Sequence, residues 1–132
     1  MDTEIAKELD KNDMIKEVLD KFEAKGLEIT HANYGGHKKP EEVGDCRPDV
    51  VALDTENELY HIATAAYPEN LKDDGTERKI RVLSNLMMKE GRSSQIRIPF
   101  YLAIPKGQLE KVEDILDEKK IARANVLPIE CR

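Results

Sequence analysis

Arg47-Pro48-Asp49-Val50-Val51-Ala52-Leu53-Asp54 and Glu58-Leu59-Tyr60-His61-Ile62-Ala63-Thr64-Ala65-Ala66 are two apolar-rich runs separated by a short polar turn. The first carries Val50, Val51 and Leu53 and the second Leu59, Tyr60 and Ile62, and the intervening Asp54–Glu58 segment has a length suited to a hairpin. Strand side chains alternate between faces, so His61, Ala63 and Ala65 share one side of the second strand. Asp49 enters the first strand directly after Pro48, a place where a carboxylate also suits a turn.

Ahead of the two runs, Ile15, Val18, Leu19 and Phe22 recur at helical spacing, continuing from Ile5 and Leu9, and Gly26 after Lys25 ends the run as a C-cap. Asn12 and Asp13 offer a fresh start, so this segment reads as one bent helix or two short ones. Residues 27–34 alternate as a half-buried strand, and Gly35-Gly36 opens a loop through Asp45. Ile80, Leu83, Leu86 and Met87 predict an amphipathic helix ending at Gly91. Residues 98–104 form the most apolar run and read as a central strand. A last helix carries Leu109, Val112, Ile115 and Leu116, and a short strand covers 125–129. The order predicts a mixed α/β sandwich with helices covering one sheet, built as a single domain of 132 residues.

Element order and the hairpin together resemble the PD-(D/E)xK superfamily, the restriction-endonuclease-like fold, nearest to archaeal Holliday junction resolvases. In that family an Asp begins one strand, and an acid and a Lys lie two apart on the next, in a context resembling Ile-Glu-Val-Lys. Asp49 matches the first position; the second strand reads Ile62-Ala63-Thr64-Ala65. The resemblance covers roughly residues 13–104. It also implies a helix Glu ahead of the first strand, and in Met14–Leu27 that place falls on Glu17, which read by itself is one acid on a solvated helix. The family's cofactor is magnesium, a hard cation held by carboxylates and substrate phosphate. Two alanines supply no ligand, charge or proton, so the resemblance implies a nuclease fold whose chemistry is missing, with Asp49 and Glu17 as weak or vestigial metal ligands.

His61 is the ionisable residue on the Ala63 and Ala65 side and is a candidate replacement ligand or base, against the plainer role of a half-buried histidine bonded to its neighbours. Glu69, Glu77 and Lys79 are candidates for migrated groups. Helix residues two apart point in different directions, which counts against Glu77 and Lys79 serving one metal. Arg78, Lys79, Arg81, Arg92 and Arg97 are candidate phosphate contacts or, equally, a solvated face with ordinary ion pairs.

The charge of −6 argues against indiscriminate coating of nucleic acid, yet residues 72–97 hold seven bases against four acids. No apolar run spans a bilayer and the start, Met1-Asp2-Thr3-Glu4, is unlike a signal peptide, which predicts a soluble cytoplasmic protein. Cys46 and Cys131 lie far apart and read as free thiols. Abundant Lys and Glu beside only two Gln suits a thermophile. The expected function is an inactive nuclease-fold module binding DNA, RNA or a protein partner, including a second copy of itself. The alternatives are an active magnesium-dependent nuclease with a migrated site, and a protein-only subunit of a larger assembly.

Overall fold

The computed structural model describes residues 10–132, so Ile5 and Leu9 lie outside the described residues. Helix α1 spans Lys11–Ala24 and begins at Asp10, whose side chain accepts from the Asp13 N–H at 2.8 Å. Its far end is closed by a left-handed Gly26 (φ 83°), with Gly26 N–H on the Glu23 carbonyl and Leu27 N–H on the Phe22 carbonyl. That reciprocal pair satisfies two carbonyls the helix leaves open and turns the chain directly into the sheet.

Five strands lie side by side in chain order: β1 (Glu28–Ala32), β2 (Val50–Asp54), β3 (Leu59–Ala65), β4 (Phe100–Pro105) and β5 (Leu127–Cys131). The first three form an antiparallel meander, and β3, β4 and β5 run parallel. Parallel neighbours need crossovers, here supplied by α2 (Asp74–Leu83), entered through a 3-10 turn at Pro68–Lys72, and by α3 (Leu109–Glu118). The fold is mixed α/β, as the pattern predicts.

Alternation divides the core into two layers. Ala32, Val50, Ala52, Ala63, Ala65, Tyr101 and Ala103 pack under Met14, Val18 and Phe22 of α1. Ile62, Phe100, Leu102 and Ile104 face the opposite way, toward Ile80 and Leu83 of α2 and Val112 and Ile115 of α3. Five of the α1-side positions are alanine, from Ala32 on β1 to Ala103 on β4. Small side chains on the sheet leave room for the large ones of the helix, and each large apolar side chain so buried contributes about 1.5–3 kcal/mol.

Two boundaries differ from the periodicity. Helix α2 stops at Leu83 rather than near Gly91, although Leu86 and Met87 keep helical spacing. The Asn85 side chain donates to the Arg81 carbonyl at 2.8 Å and Arg97 donates to the Ser84 carbonyl at 3.1 Å, so side chains take the acceptors that another turn would use. Met87 instead bridges to Arg97. The last strand lies at 127–131 rather than 125–129, because a 3-10 turn, Arg123–Asn125, occupies its expected start.

Candidate functional site

Asp49 immediately precedes β2, at the edge of the sheet where β3, β4 and β5 end, since Val50 pairs with Ala63 and Ala65 pairs with Ala103. The hairpin therefore pairs as its sequence predicts. The Asp49 carboxylate is held there by backbone: Oδ2 accepts the Ala65 N–H at 2.9 Å. Its other oxygen lies 3.5 Å from Asn33 Nδ2, and Lys39 Nζ donates to Asn33 Oδ1 at 3.3 Å. In this arrangement the carboxylate continues the β2–β3 ladder beyond the last strand pair. A carboxylate is a strong acceptor for such an N–H, which would otherwise lack a partner at the sheet's end.

Ala63 and Ala65 are 0% and 2% exposed, inside the core layer under α1. Both are thus packing positions, members of the alanine stripe.

Glu17 approaches the same sheet edge from α1, near the end of β5. Its Oε1 accepts from the Arg132 N–H at 3.4 Å and its Oε2 pairs with Arg132 Nε at 3.7 Å, too long for a hydrogen bond. Beside it the fully buried Cys131 thiol is pushed up to about 11, chiefly by burial and secondarily by the Glu17 charge. Cys46 and Cys131 are both free and buried. No hydrogen bond or ion pair joins Glu17 to Asp49. Among the described residues no three of His, Cys, Asp and Glu converge as a metal site. Magnesium demands close to octahedral oxygen coordination. One Asp49 oxygen is taken by an amide N–H, the Glu17 carboxylate faces an arginine, and methyl groups stand at 63 and 65. This donor set does not fit the ion.

His61 faces α1 with Ala63 and Ala65, as alternation predicts, but it stands four residues from Ala65 along β3, roughly 13 Å at strand spacing. Its Nδ1 lies 3.0 Å from the Tyr101 hydroxyl, its ring stacks on Tyr101, and Phe22 meets it edge-on. Burial lowers its pKa, helped by Lys25, while Asp54 opposes the shift. Burial raises that of Tyr101. This is a half-buried histidine with a phenol partner, away from Asp49. Of the other candidates, Glu69 is exposed on the 3-10 turn, and Glu77 on α2 bonds Arg81 and pairs with Lys119. The Arg81 bond is the main reason that the Glu77 carboxyl lies below its ordinary range.

The candidate phosphate contacts are mostly engaged within the molecule. Arg78 donates to Cys46 Sγ at 3.5 Å, Arg81 bonds both Glu77 and the Lys119 carbonyl, and Arg92 donates to the Glu56 carbonyl at 2.8 Å. Arg97 caps Ser84 and bonds Asn85 Oδ1 at 3.0 Å. Of the named set, Lys79 has no side-chain partner among the described residues.

The strongest surface feature was not legible as a motif. On the face away from α1, β2 and β3 carry the cross-strand pairs Val51–Ile62 and Leu53–Tyr60. A concavity of about 300 Å³ lies over the first pair, walled by Leu86 and Ile98, and a second of about 350 Å³ lies over Leu53 beside Met88. Alternation marks these residues as one face; only the path of the 84–99 segment reveals that, among the described residues, Val51, Leu53 and Tyr60 are left partly open while Ile62 beneath them is buried. Among the described residues no helix is long and apolar enough to cross a membrane. Compared with protein-family models, with curated proteins and with solved structures, the chain matches none.

Proposed function

We propose that this chain is a non-catalytic interaction module built on a restriction-endonuclease-like sheet, with a protein rather than a nucleic acid as its partner. The observation that carries the reading is the alanine stripe. Ala63 and Ala65 stand where nuclease chemistry would require an acid and a Lys, and both are buried against α1. Asp49, the residue matching the pattern, has a sufficient structural role in holding the Ala65 N–H. The preference for a protein partner is supported by the internal engagement of Arg78, Arg81, Arg92 and Arg97, and by the acidic net charge.

Purified protein incubated with magnesium or manganese is expected to leave duplex, single-stranded and branched DNA uncut. Missing charge stabilisation and water activation remove effects often worth several kcal/mol of barrier. Metal-dependent cleavage that disappears in Asp49→Ala would replace this reading with an active nuclease whose site has migrated.

A further inference from the structure

We infer that the partly open face of β2 and β3, around Val51, Leu53 and Tyr60, is a groove for an extended peptide carrying apolar side chains two residues apart, flanked by Lys or Arg. The inference deepens the interaction-module reading and rests on it. Its geometry comes from the two concavities, which share Tyr60 as a common wall, 40% exposed. The first is floored by Val51 and the second by Leu53, two residues along β2 and therefore roughly 6.6 Å apart. An extended peptide presents alternate side chains on one face at that same spacing, so successive pockets match positions i and i+2. Each concavity is of a size to take an aliphatic side chain.

The charge of the lining selects among such peptides. Glu41, Glu42 and His31 line the first concavity and Glu58 and Glu90 the second, while among the described residues neither is lined by Lys or Arg. Among the described residues Glu42 has only a 3.8 Å pair with Arg47, and Glu58 accepts the Arg92 backbone N–H. Glu41 and Glu90 are exposed and have no partner among the described residues. An apolar floor with acidic ends favours a segment whose apolar anchors lie between basic residues, and it repels a phosphate backbone.

The test uses a fluorescein-labelled Lys-Leu-Lys-Leu-Lys amide, its Glu-Leu-Glu-Leu-Glu counterpart and a labelled DNA duplex, followed by anisotropy and by methyl NMR of the intact chain. Near physiological ionic strength the basic peptide should bind saturably and shift the Val51, Ile62 and Met88 methyls, while the acidic peptide and the duplex should not. Binding should weaken about tenfold in Tyr60→Ala and by at least as much in the Glu41→Lys, Glu90→Lys double variant. Tyr60, Glu41 and Glu90 are all exposed, and unchanged thermal unfolding would show that folding is intact; should Tyr60→Ala unfold, the charge variant alone decides. Affinity weaker than about 1 mM, equal binding of the acidic peptide, unchanged binding in the charge variant, or shifts elsewhere would overturn the inference. The nuclease assay separates the two failures. Cleavage would sink the interaction reading itself, whereas an inert protein that ignores the peptide would sink only the groove.

Discussion

Replacing Asp49 with Ala removes the acceptor of the Ala65 N–H and leaves that amide without its bond at 2.9 Å. Loss of a charge-assisted bond at a half-buried site should destabilise the fold by about 1–2 kcal/mol, measured as a lower urea midpoint at unchanged slope. Asp49→Asn keeps an acceptor oxygen and should cost less than half as much. If Asp49→Ala is neutral, the carboxylate is not a structural cap. His61 gives a second measurement at this scale. Its folded pKa lies below the ordinary 6.5, mainly through burial. The unfolded chain therefore binds more protons just below pH 6.5, and stability should fall as the pH falls through that window, not rise. Well above pH 6.5 the residue is neutral in both states and contributes no slope. His61→Gln should flatten the dependence of the urea midpoint between about pH 6.5 and 5, above the range where most carboxylates titrate; an unchanged dependence would place its cause elsewhere.

At the scale of elements, the end of α2 is set by groups distant in sequence. Arg97 reaches back thirteen residues to the Ser84 carbonyl and also bonds Asn85. Arg97→Ala should lower stability by about 1 kcal/mol, since it removes two hydrogen bonds at a partly exposed helix end. Amide exchange should show the effect at residues 82–86 before it reaches β4; uniform loss of protection would mean that the capping is not local. The same dependence on distance divides what was legible in the sequence from what was not. Gly26 marks the end of α1 because its left-handed conformation is a local requirement, and the alternation of 49–66 marks the hairpin because strand faces repeat every two residues. The stop at Leu83 was hidden because Leu86 and Met87 remain in phase, while the groups that end the helix include one beyond the turn. The site divides in the same way: Asp49 and the two alanines are visible as a pattern. The Asp49–Ala65 bond spans sixteen residues and the His61–Tyr101 contact forty, so each exists only once the sheet is assembled. The groove is further still from sequence, being defined by where α2 stops.

For the molecule as a whole, the net charge of −6 sets the field that an approaching polyanion meets, and internal bonds hold several of the bases that would locally oppose it. Each phosphate neutralised on duplex DNA contributes about −0.9 to the slope of log K against log salt. With Lys79 the one member of the candidate set lacking a side-chain partner among the described residues, that set can engage few phosphates without breaking bonds that hold the fold. Fluorescence anisotropy with a labelled duplex should therefore find weak association at low salt, a slope shallower than about −2 and no measurable binding near physiological ionic strength. The Arg78→Ala, Lys79→Ala, Arg81→Ala triple variant should change that slope by less than about 1. It removes one uncommitted charge and two guanidiniums whose bonds are made inside the molecule. A steep slope in the native chain that flattens in the triple variant would show that these bonds yield to phosphate, and would make nucleic acid the partner in place of a basic peptide.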